Sequence, residues 1–148
     1  MQRLSRYFSS LTNKVIVNFV TPHSTILSQH AVDQVNIATQ RGDLGILPNH
    51  TPIIEQLRPG VVEILNTQSV PMRNRYFVSG GFAVVHSDSR LDISAIEAVA
   101  TDHLSPMAVA KGLEESERRV ASSEGAELAR AEIELETYQA MSKALESQ

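Results

Sequence analysis

Alternating hydrophobic and polar positions, rich in valine and isoleucine, recur through the first two thirds of the chain. Six short runs of this kind lie at residues 14–20, 32–39, 60–65, 76–78, 82–85 and 91–96. β-Branched and aromatic residues in such runs, bounded by glycine, proline and other turn-forming residues, favour strands. Short strands at this spacing, without helix-length connections between them, predict an antiparallel β-sandwich or barrel and no parallel sheet.

A helical period replaces the alternating one after Leu104. Ser105 and Pro106 favour a helix start, because the serine oxygen caps the first turn and proline needs no N–H there. Apolar residues then recur at steps of three and four in two stretches. Residues 122–125 break the first helix and are expected to cap the second. The pattern predicts an antiparallel helical hairpin at residues 104–148, packed through Met107, Leu113, Val120, Leu128, Leu135, Tyr138 and Leu145.

Charge changes at nearly the same place as the period. Residues 1–90 contain eight basic and five acidic residues, and the remainder contains five basic and twelve acidic residues, for a net charge of −4. Residues 1–13 carry arginines and serines and no acidic residue, which is typical of a mitochondrial or plastid targeting segment or of a flexible terminus. The sequence thus predicts an α+β protein with three parts, at residues 1–13, 14–103 and 104–148.

The amino-acid composition limits the kinds of binding site and partner that the protein can have. The chain has no cysteine, which excludes disulfides and thiolate metal sites. Its five histidines lack the three- or four-residue spacing of a helical metal site, so we expect no metal. The net charge argues against nucleic acid as a partner. Apolar runs are only a few residues long, far below the roughly 20 residues of a membrane-spanning helix.

One segment is more specific than composition. Residues 41–54 are RGDLGILPNHTPII and are followed by LRPG at residues 57–60, while residues 76–82 are YFVSGGF. In this order they closely resemble the G-(E/D)-L-G-I-x-P-x-H-x-P…L-x-P-G signature and the hydrophobic-S-G-G strand junction of the F-type ATP synthase epsilon subunit family. The mitochondrial counterpart in that family is called delta. The resemblance covers residues 14–146 and implies a β-sandwich at residues 14–103.

The first of these motifs is the predicted partner-contact loop. Gly42 and Gly45 permit backbone at positive φ, so we expect a compact turn in place of a strand, and backbone strain when Gly45 is replaced by valine. Pro48, Pro52 and Pro59 fix φ and end ladders, which predicts an ordered irregular connection to the next strand. A rigid exposed loop on a sandwich is a good docking surface. The candidate contact residues are Gly42, Asp43, Leu44, Gly45, Leu47, Pro48, Asn49 and His50.

By this resemblance the protein is a non-catalytic central-stalk (rotor) subunit of an F-type ATP synthase. It would clamp the gamma subunit to the c-ring and help couple proton translocation to ATP synthesis, with the catalytic sites on other subunits. A mitochondrial form is expected to bind a very small further stalk subunit, called epsilon in that nomenclature. We expect no cofactor, no catalytic residue and a peripheral position on the matrix side of the mitochondrial inner membrane. A plastid or bacterial membrane is the alternative.

The resemblance also bears on regulation. Some bacterial members bind ATP between sandwich and hairpin, through an acidic residue and an arginine near the start of the first helix, and an extended hairpin can block rotation there. Residues 106–111, PMAVAK, lack that pattern, although Arg118 and Arg119 lie further along the helix. We therefore expect no regulatory ATP site. We also expect a hairpin that is folded against the sandwich and adds little inhibition.

A free-standing β-sandwich adaptor or small hydrolase is the alternative function. The S-G-G at residues 79–81 lacks the glycine two positions before the serine that a nucleophile elbow requires, since Phe77 stands there. Asp43, His50 and Ser79 would form a triad only if the fold brought them together. No phosphate-binding loop of the Walker type occurs.

Overall fold

The computed structural model describes residues 13–66 and 72–148, apart from the side chain of Met72. The chain divides into two compact units, one ending at Ala98 and the other comprising Val99–Gln148. This boundary lies a few residues before the predicted one, and the three-part division stays a prediction. The targeting-like segment predicted at residues 1–13 lies outside the described residues, except for Asn13.

Strands form the first unit. They are β1 (Val15–Val20), β2 (Thr25–Val32), β3 (Gln34–Thr39), β4 (Gly42–Ile46), β5 (Ile53–Leu57), β6 (Gly60–Asn66), β7 (Met72–Val78), β8 (Gly81–Val85) and β9 (Arg90–Ala95), and a short β10 (Ala98–Ala100) lies at the boundary. The sheet order is β7-β6-β3-β5-β8-β9-β1-β2, with β4 paired to β3 beside this path. This largely antiparallel, sandwich-like unit, followed by helices, confirms the predicted α+β class.

Strand pairing follows the expected antiparallel pattern with one exception. The pairs β1–β2, β3–β4, β3–β6, β5–β8, β6–β7 and β8–β9 are antiparallel. Strands β1 and β9 run parallel, with Ile16 opposite Arg90 and Val20 opposite Ser94. No helical crossover is needed for this pair, because the chain between β1 and β9 passes through the other strands. The expectation of no parallel pairing is therefore wrong at this position.

The core of the unit lies between the inward faces of the strands. Strand β1 shows the period of two that predicted it: Val15, Val17 and Phe19 are buried, and the residues between them are half-buried. Phe19 packs edge-to-face on Tyr76, with ring centroids 5.5 Å apart. Each buried apolar side chain contributes about 25 cal/mol per Å² removed from water, so this core holds the strands in register.

Four strands, β2, β4, β5 and the short β10, occupy segments where the sequence predicts none. Half of the residues of β2 are exposed and the strand lacks alternation, and Gln29 interrupts it with φ at +47°. Strand β4 covers the segment where we expect a turn, and β5 lies within the segment where we expect an irregular connection. Both expectations are wrong. The prolines lie between the strands and not inside them: Pro48 and Pro52 separate β4 from β5, and Pro59 follows β5.

The second unit contains a 3₁₀ helix (Thr101–His103) and two α-helices, α1 (Pro106–Ser122) and α2 (Gly125–Glu146). Ser105 caps α1 as predicted, since its Oγ accepts a hydrogen bond from Ala108 N at 3.3 Å. Glu124 precedes α2 and makes no side-chain cap hydrogen bond, so the predicted second cap is wrong. The predicted helical hairpin is confirmed.

Small residues dominate the buried positions of this hairpin, which are Val109, Gly112, Ser116, Ala131 and Ala144. A Cβ atom on Gly112 would lie 2.2 Å from Cε1 of Tyr138, so the tyrosine ring already fills the space above this glycine. Ser116 Oγ donates to Gly112 O at 2.7 Å, which satisfies the buried hydroxyl. Arg119 of α1 pairs with Glu134 of α2. The two helices are therefore packed closely against each other.

Candidate partner-contact surface

The predicted contact residues begin on a β-hairpin. Strands β3 and β4 pair from end to end, and Gln40 and Arg41 form the two-residue turn between Thr39 and Gly42. Thr39 is fully buried. Its Oγ1 donates to Gly42 O at 2.7 Å and accepts from Arg41 N at 3.2 Å. These local bonds fix the tip of the hairpin.

The two glycines of β4 have different structural roles. Gly42 has φ at +123° with open space around it, so it supplies a conformation that other residues rarely adopt. Gly45 is not in the left-handed region, and a Cβ atom there would lie 3.1 Å from Gln34 Nε2 and 3.3 Å from Asn36 Oδ1. The backbone strain expected at Gly45 is therefore wrong, because the conformational demand falls on Gly42.

A tight turn follows β4. His50 N donates to Leu47 O at 3.2 Å, with Pro48 and Asn49 at the two central positions and Asn49 at φ +62°. Proline followed by a residue of positive φ is typical of a type II turn. Asn49 N also donates to Ser89 Oγ at 2.8 Å, which ties this turn to the β8–β9 turn. The segment after β4 is thus ordered by its own chemistry, as the sequence predicts.

The eight predicted contact residues all reach the surface. Gly42, Asp43, Gly45, Leu47 and Asn49 are exposed, and Leu44, Pro48 and His50 are half-buried. The structure brings them together on one hairpin strand and the turn that follows it. Contact with a partner at these residues stays a prediction.

Two ion pairs connect this surface to neighbouring residues, and three of the four residues that form them, Arg41, Glu55 and Arg58, have no predicted contact role. Arg58, from the L-R-P-G motif, pairs with Asp43, and its Nε donates to Thr39 O at 3.1 Å. Glu55 of β5 accepts from Arg41 Nη1 at 3.1 Å. The only sequence signal for Arg58 is its position inside the second half of the motif, and Glu55 has none.

An exposed apolar face lies beside these residues. Ile54 of β5 is 73% exposed and Phe82 of β8 is 55% exposed. They share a face of the sheet with Val84, because Ile54 pairs with Val84 and Gln56 pairs with Phe82. An open groove of about 680 Å³ runs along this face towards His86 and the β8–β9 turn. Single exposed apolar residues are ordinary, but two of them on neighbouring strands make this face a candidate interaction surface.

A polar network borders the groove around Asp92. Asn18 Nδ2 donates to Asp92 Oδ1 at 2.7 Å, His86 Nε2 lies 2.7 Å from Oδ2, and Arg90 Nε lies 3.4 Å from Oδ2. Partial burial raises the pKa of Asp92, but the hydrogen bonds from Asn18 and His86 and the charge of Arg90 outweigh it. The pKa of this carboxyl is therefore below its usual value, and the group is ionised at neutral pH.

A second network lies on β3, β6 and β7. Glu63 Oε2 accepts from Asn36 Nδ2 at 2.8 Å, and Oε1 pairs with Arg73 and lies 3.5 Å from Arg75 Nε. Burial alone raises the pKa of Glu63. The hydrogen bonds from Asn36 and Arg73 and the charges of both arginines lower it further than burial raises it. This carboxylate therefore joins three strands across one face of the sheet.

The residues of the hydrolase alternative are engaged elsewhere. Asp43 is paired with Arg58, and the ring of His50 contacts the carbonyl of Thr51 at 2.7 Å. Ser79 precedes a glycine pair at a strand bend. A Cβ atom on Gly81 would lie 2.1 Å from Ser94 O, so the S-G-G motif serves a close backbone approach. The contacts of Asp43 and His50 thus give no support to a triad.

No group of three or more histidine, cysteine, aspartate or glutamate residues in residues 13–66 and 72–148 is placed to hold a metal ion. Neither helix of the described chain combines the length and the apolar character that crossing a membrane requires.

The predicted packing residues of the hairpin lie mostly in half-buried positions. These are Leu113, Val120, Leu128, Leu135, Tyr138 and Leu145. Met107 differs, since it is 85% exposed at the start of α1, and this does not fit the packing role predicted for it. The first turn of α1 begins at Pro106, so Met107 lies too near the helix end to be covered.

A sandwich-like unit with an ordered exposed hairpin and an apolar face, followed by a helical hairpin, defines the class as a small α+β protein with two compact units. Known proteins identify the family. The family model described as "ATP synthase, Delta/Epsilon chain, beta-sandwich domain" matches residues 14–101. The chain belongs to this family of ATP synthase delta/epsilon chains, as its motifs predict.

Similar proteins extend the match beyond the sandwich. The mitochondrial ATP synthase subunit delta of Yarrowia lipolytica is 43% identical over 129 residues, which cover 87% of this chain and 78% of the relative. The subunit delta of Agaricus bisporus is 40% identical over 142 residues, 95% of this chain and 85% of the relative. These relatives confirm the predicted function of an ATP synthase rotor-stalk subunit and its predicted location at the mitochondrial inner membrane.

Solved structures of mitochondrial ATP synthases contain chains with a similar fold. A chain of the Euglena gracilis mitochondrial ATP synthase, in a structure of OSCP, F1 and the c-ring, has a TM-score of 0.84 and 31% identity, covering 90% of this chain and 82% of its own length. A chain from the central stalk and c-ring structure of Tetrahymena thermophila mitochondrial ATP synthase has a TM-score of 0.63 at 17% identity, covering 87% and 94%. The second likeness shows the fold alone.

Proposed function

We propose that the protein is a non-catalytic coupling subunit that clamps the gamma subunit to the c-ring. The observation that carries this proposal is the presence of two different exposed surfaces on one unit. One is the surface formed by residues 42–50, called the polar surface because Asp43 and Asn49 are exposed there, although it also includes the exposed Leu47. The other is the apolar face of Ile54, Phe82 and Val84. A subunit that joins two partners needs two such surfaces.

Each surface suits a different partner. Permanent protein interfaces are more apolar than the remaining surface, so the apolar face suits a lasting contact with the gamma subunit. The polar hairpin and turn suit the loops that a membrane-embedded ring exposes to water. We assign the apolar face to gamma and residues 42–50 to the c-ring. The Euglena chain with the same fold comes from a structure that contains F1 and the c-ring, which supports this pairing of partners.

Transmission of torque requires a clamp that does not deform. The turn after β4 is held by the bond from Asn49 to Ser89, and the hairpin tip is held by Thr39 and Arg58. Rigid surfaces lose little conformational entropy on binding, so more of the contact energy remains to resist slip. The protein then acts through buried area and polar complementarity, and the bond chemistry takes place on other subunits.

The small mitochondrial stalk subunit called epsilon is the third proposed partner. The helical unit offers two exposed apolar side chains for it, Met107 on α1 and Ile133 on α2. Ile133 is 65% exposed, and a large apolar residue in this state on a helix is a suitable anchor for a partner.

Reconstitution tests the proposal. The purified chain is mixed with a gamma–c-ring complex of the same enzyme, and co-migration is followed by size exclusion. We expect Ile54→Asp and Phe82→Asp to weaken binding at least about tenfold, because each places a charge in an apolar contact. Met107→Asp is the matched control, since it changes an apolar side chain of the other unit that is even more exposed, at 85%. Failure of the unmodified chain to bind, or ATP hydrolysis by the chain alone, would overturn the proposal.

A further inference from the structure

The tip of the β3–β4 hairpin carries an ion pair whose two partners differ greatly in exposure. The Arg41 side chain is 81% exposed, whereas the Glu55 side chain is only 7% exposed. Arg41 Nη1 donates to Glu55 Oε1 at 3.1 Å. The guanidinium is therefore held at one nitrogen, and its remaining N–H groups face water.

Glu55 is an acidic residue on the inward face of a strand. It alternates with exposed Ile54 and Gln56, and it lies on the same face as buried Leu57 and opposite buried Ala83. A carboxylate is costly to bury unless a hydrogen-bonded cation compensates it. Arg41 supplies that cation from the hairpin tip. The hydrogen bond to the buried Glu55 carboxylate thus orients the Arg41 side chain.

The backbone beneath Arg41 is fixed as well. Gln40 N donates to Gln56 O at 3.0 Å, which joins the tip directly to β5. Arg58 Nε donates to Thr39 O at 3.1 Å, and Arg58 also pairs with Asp43. The negative charge of Asp43 is therefore already engaged. Arg41 is left as the outward-facing charge of the tip.

We propose that Arg41 binds a carboxylate on the rotor partner of the polar surface, and that Glu55 is the positioning residue that holds Arg41 ready for it. This inference rests on the proposed function and adds the chemistry of one contact. A guanidinium presents several N–H donors in one plane, so Arg41 can donate to a second carboxylate while it still donates to Glu55. Because its side chain is ordered before binding, little rotamer entropy remains to be lost.

If the Arg41–Glu55 ion pair had only a structural role, removing both charges would have a different effect on binding. If Arg41 served only to neutralise Glu55, removal of both charges would leave no unpaired charge and would not affect binding. If Arg41 also meets a partner, removal of both charges leaves the fold intact and weakens the complex. The double variant Arg41→Ala/Glu55→Gln therefore separates the two roles, and single Arg41→Ala does not, because it leaves a buried carboxylate unpaired.

The experiment measures dissociation of the full chain from an immobilised gamma–c-ring complex at low and high salt. For the double variant we expect thermal unfolding close to that of the unmodified chain. Dissociation should be about tenfold faster at low salt, and the difference should shrink at high salt, because charges that meet across an interface are screened there. Glu55→Gln alone keeps the arginine and removes its anchor, so we expect a smaller increase in the dissociation rate.

The matched control is Arg118→Ala/Glu114→Gln, which removes an exposed ion pair from α1, and it should dissociate at the unmodified rate. An unmodified dissociation rate for the Arg41→Ala/Glu55→Gln variant, or an equal loss in the control, would overturn this inference and leave the proposed function standing. If the unmodified chain does not bind the complex at all, the proposed function fails and this inference fails with it. Where the double variant does not fold, Arg41→Gln/Glu55→Gln repeats the test with side chains of closer volume.

Discussion

Single glycines set the backbone path of the contact surface. Gly42 turns the chain into β4 at φ +123°, and Gly81 lets β8 lie against Ser94 O, where any Cβ atom would be 2.1 Å away. Gly45 has an ordinary backbone and faces the side chains of Gln34 and Asn36. Glycines of one motif thus serve different purposes, which only the backbone angles distinguish.

The two glycines of β4 form a matched pair of variants. Gly42→Ala should lower the free energy of unfolding by about 1–2 kcal/mol, because alanine rarely adopts this φ. Gly45→Ala should cost less, since Gln34 is flexible and can move away from the new methyl group. Urea unfolding of both variants measures the difference. An equal loss for both, or a larger loss for Gly45→Ala, would contradict this explanation.

The charge on Glu63 makes stability depend on pH. The pKa of Glu63 is lower in the folded state than in the unfolded state. The Glu63 carboxylate therefore contributes fully to the free energy of unfolding at a pH above its pKa in the unfolded state, and this contribution is lost as the pH falls through its pKa in the folded state. Glu63→Gln should therefore lower the free energy of unfolding by about 1 kcal/mol at pH 7. The variant should also lose less further stability than the unmodified chain between about pH 5 and pH 3.

Unfolding titrations at several pH values check this expectation. Glu97→Gln is the control, because this residue is exposed and carries the same substitution. An identical pH profile for the unmodified chain and Glu63→Gln would show that the network around Glu63 contributes nothing.

Elements differ in how far their sequences predict them. Strand β1 alternates because one face is buried, and α1 begins at a serine and a proline, so both follow from local rules. Strand β2 shows no alternation and pairs with β1 just before it in the sequence, whereas β5 lies between prolines and is held by β8, which is distant in sequence. Local pattern cannot show such pairing, because it depends on strands that join only in the folded sheet.

The proposed contact surface is also only partly predictable from the sequence. The motif predicts the residues that reach the surface, since glycine, proline and asparagine act locally. It does not predict Glu55, because an inward-facing carboxylate in a strand is recognised only when the position of Arg41 is known. Nor does it reveal the apolar face, since Ile54 and Phe82 are far apart in sequence and meet through the pairing of β5 with β8.

The helical hairpin offers a test at the level of one element. Alanine in place of glycine inside a helix usually stabilises it by about 1 kcal/mol. At Gly112 the sign should reverse, because the new methyl group would lie 2.2 Å from the Tyr138 ring, and such overpacking costs about 1–3 kcal/mol. Thermal unfolding of Gly112→Ala should therefore show a lower midpoint.

The same substitution made in a Tyr138→Ala background gives the control. With the ring absent, Gly112→Ala should become neutral or stabilising relative to Tyr138→Ala alone. If Gly112→Ala stabilises the protein while Tyr138 is present, the close packing of α1 against Tyr138 is not a determinant of hairpin stability.

At the scale of the whole molecule, the two units have different chemistry. The unit ending at Ala98 contains the proposed contact surface and a large apolar core, whereas the hairpin is acidic and buries mainly small residues. A switch that opens the hairpin needs two conformations within a few kcal/mol of each other. The contact of Gly112 with Tyr138 and the pairing of Arg119 with Glu134 both favour keeping α1 and α2 together.

Removal of the hairpin should therefore affect assembly more than inhibition. In the assembled ATP synthase, deletion of residues 105–148 should reduce the yield of complex that contains this subunit, because the proposed epsilon contact is lost. ATP hydrolysis per assembled complex should stay within about twofold of the unmodified value, since a hairpin whose helices remain packed does not extend along gamma to block rotation. The measurement compares hydrolysis after quantifying the subunit in each preparation, with Gln139→Ala, a substitution at an exposed position of α2, as a control that leaves the hairpin in place. A large rise in hydrolysis with assembly intact would mean that the hairpin acts as a brake on rotation, because an inhibitory element raises activity when it is removed.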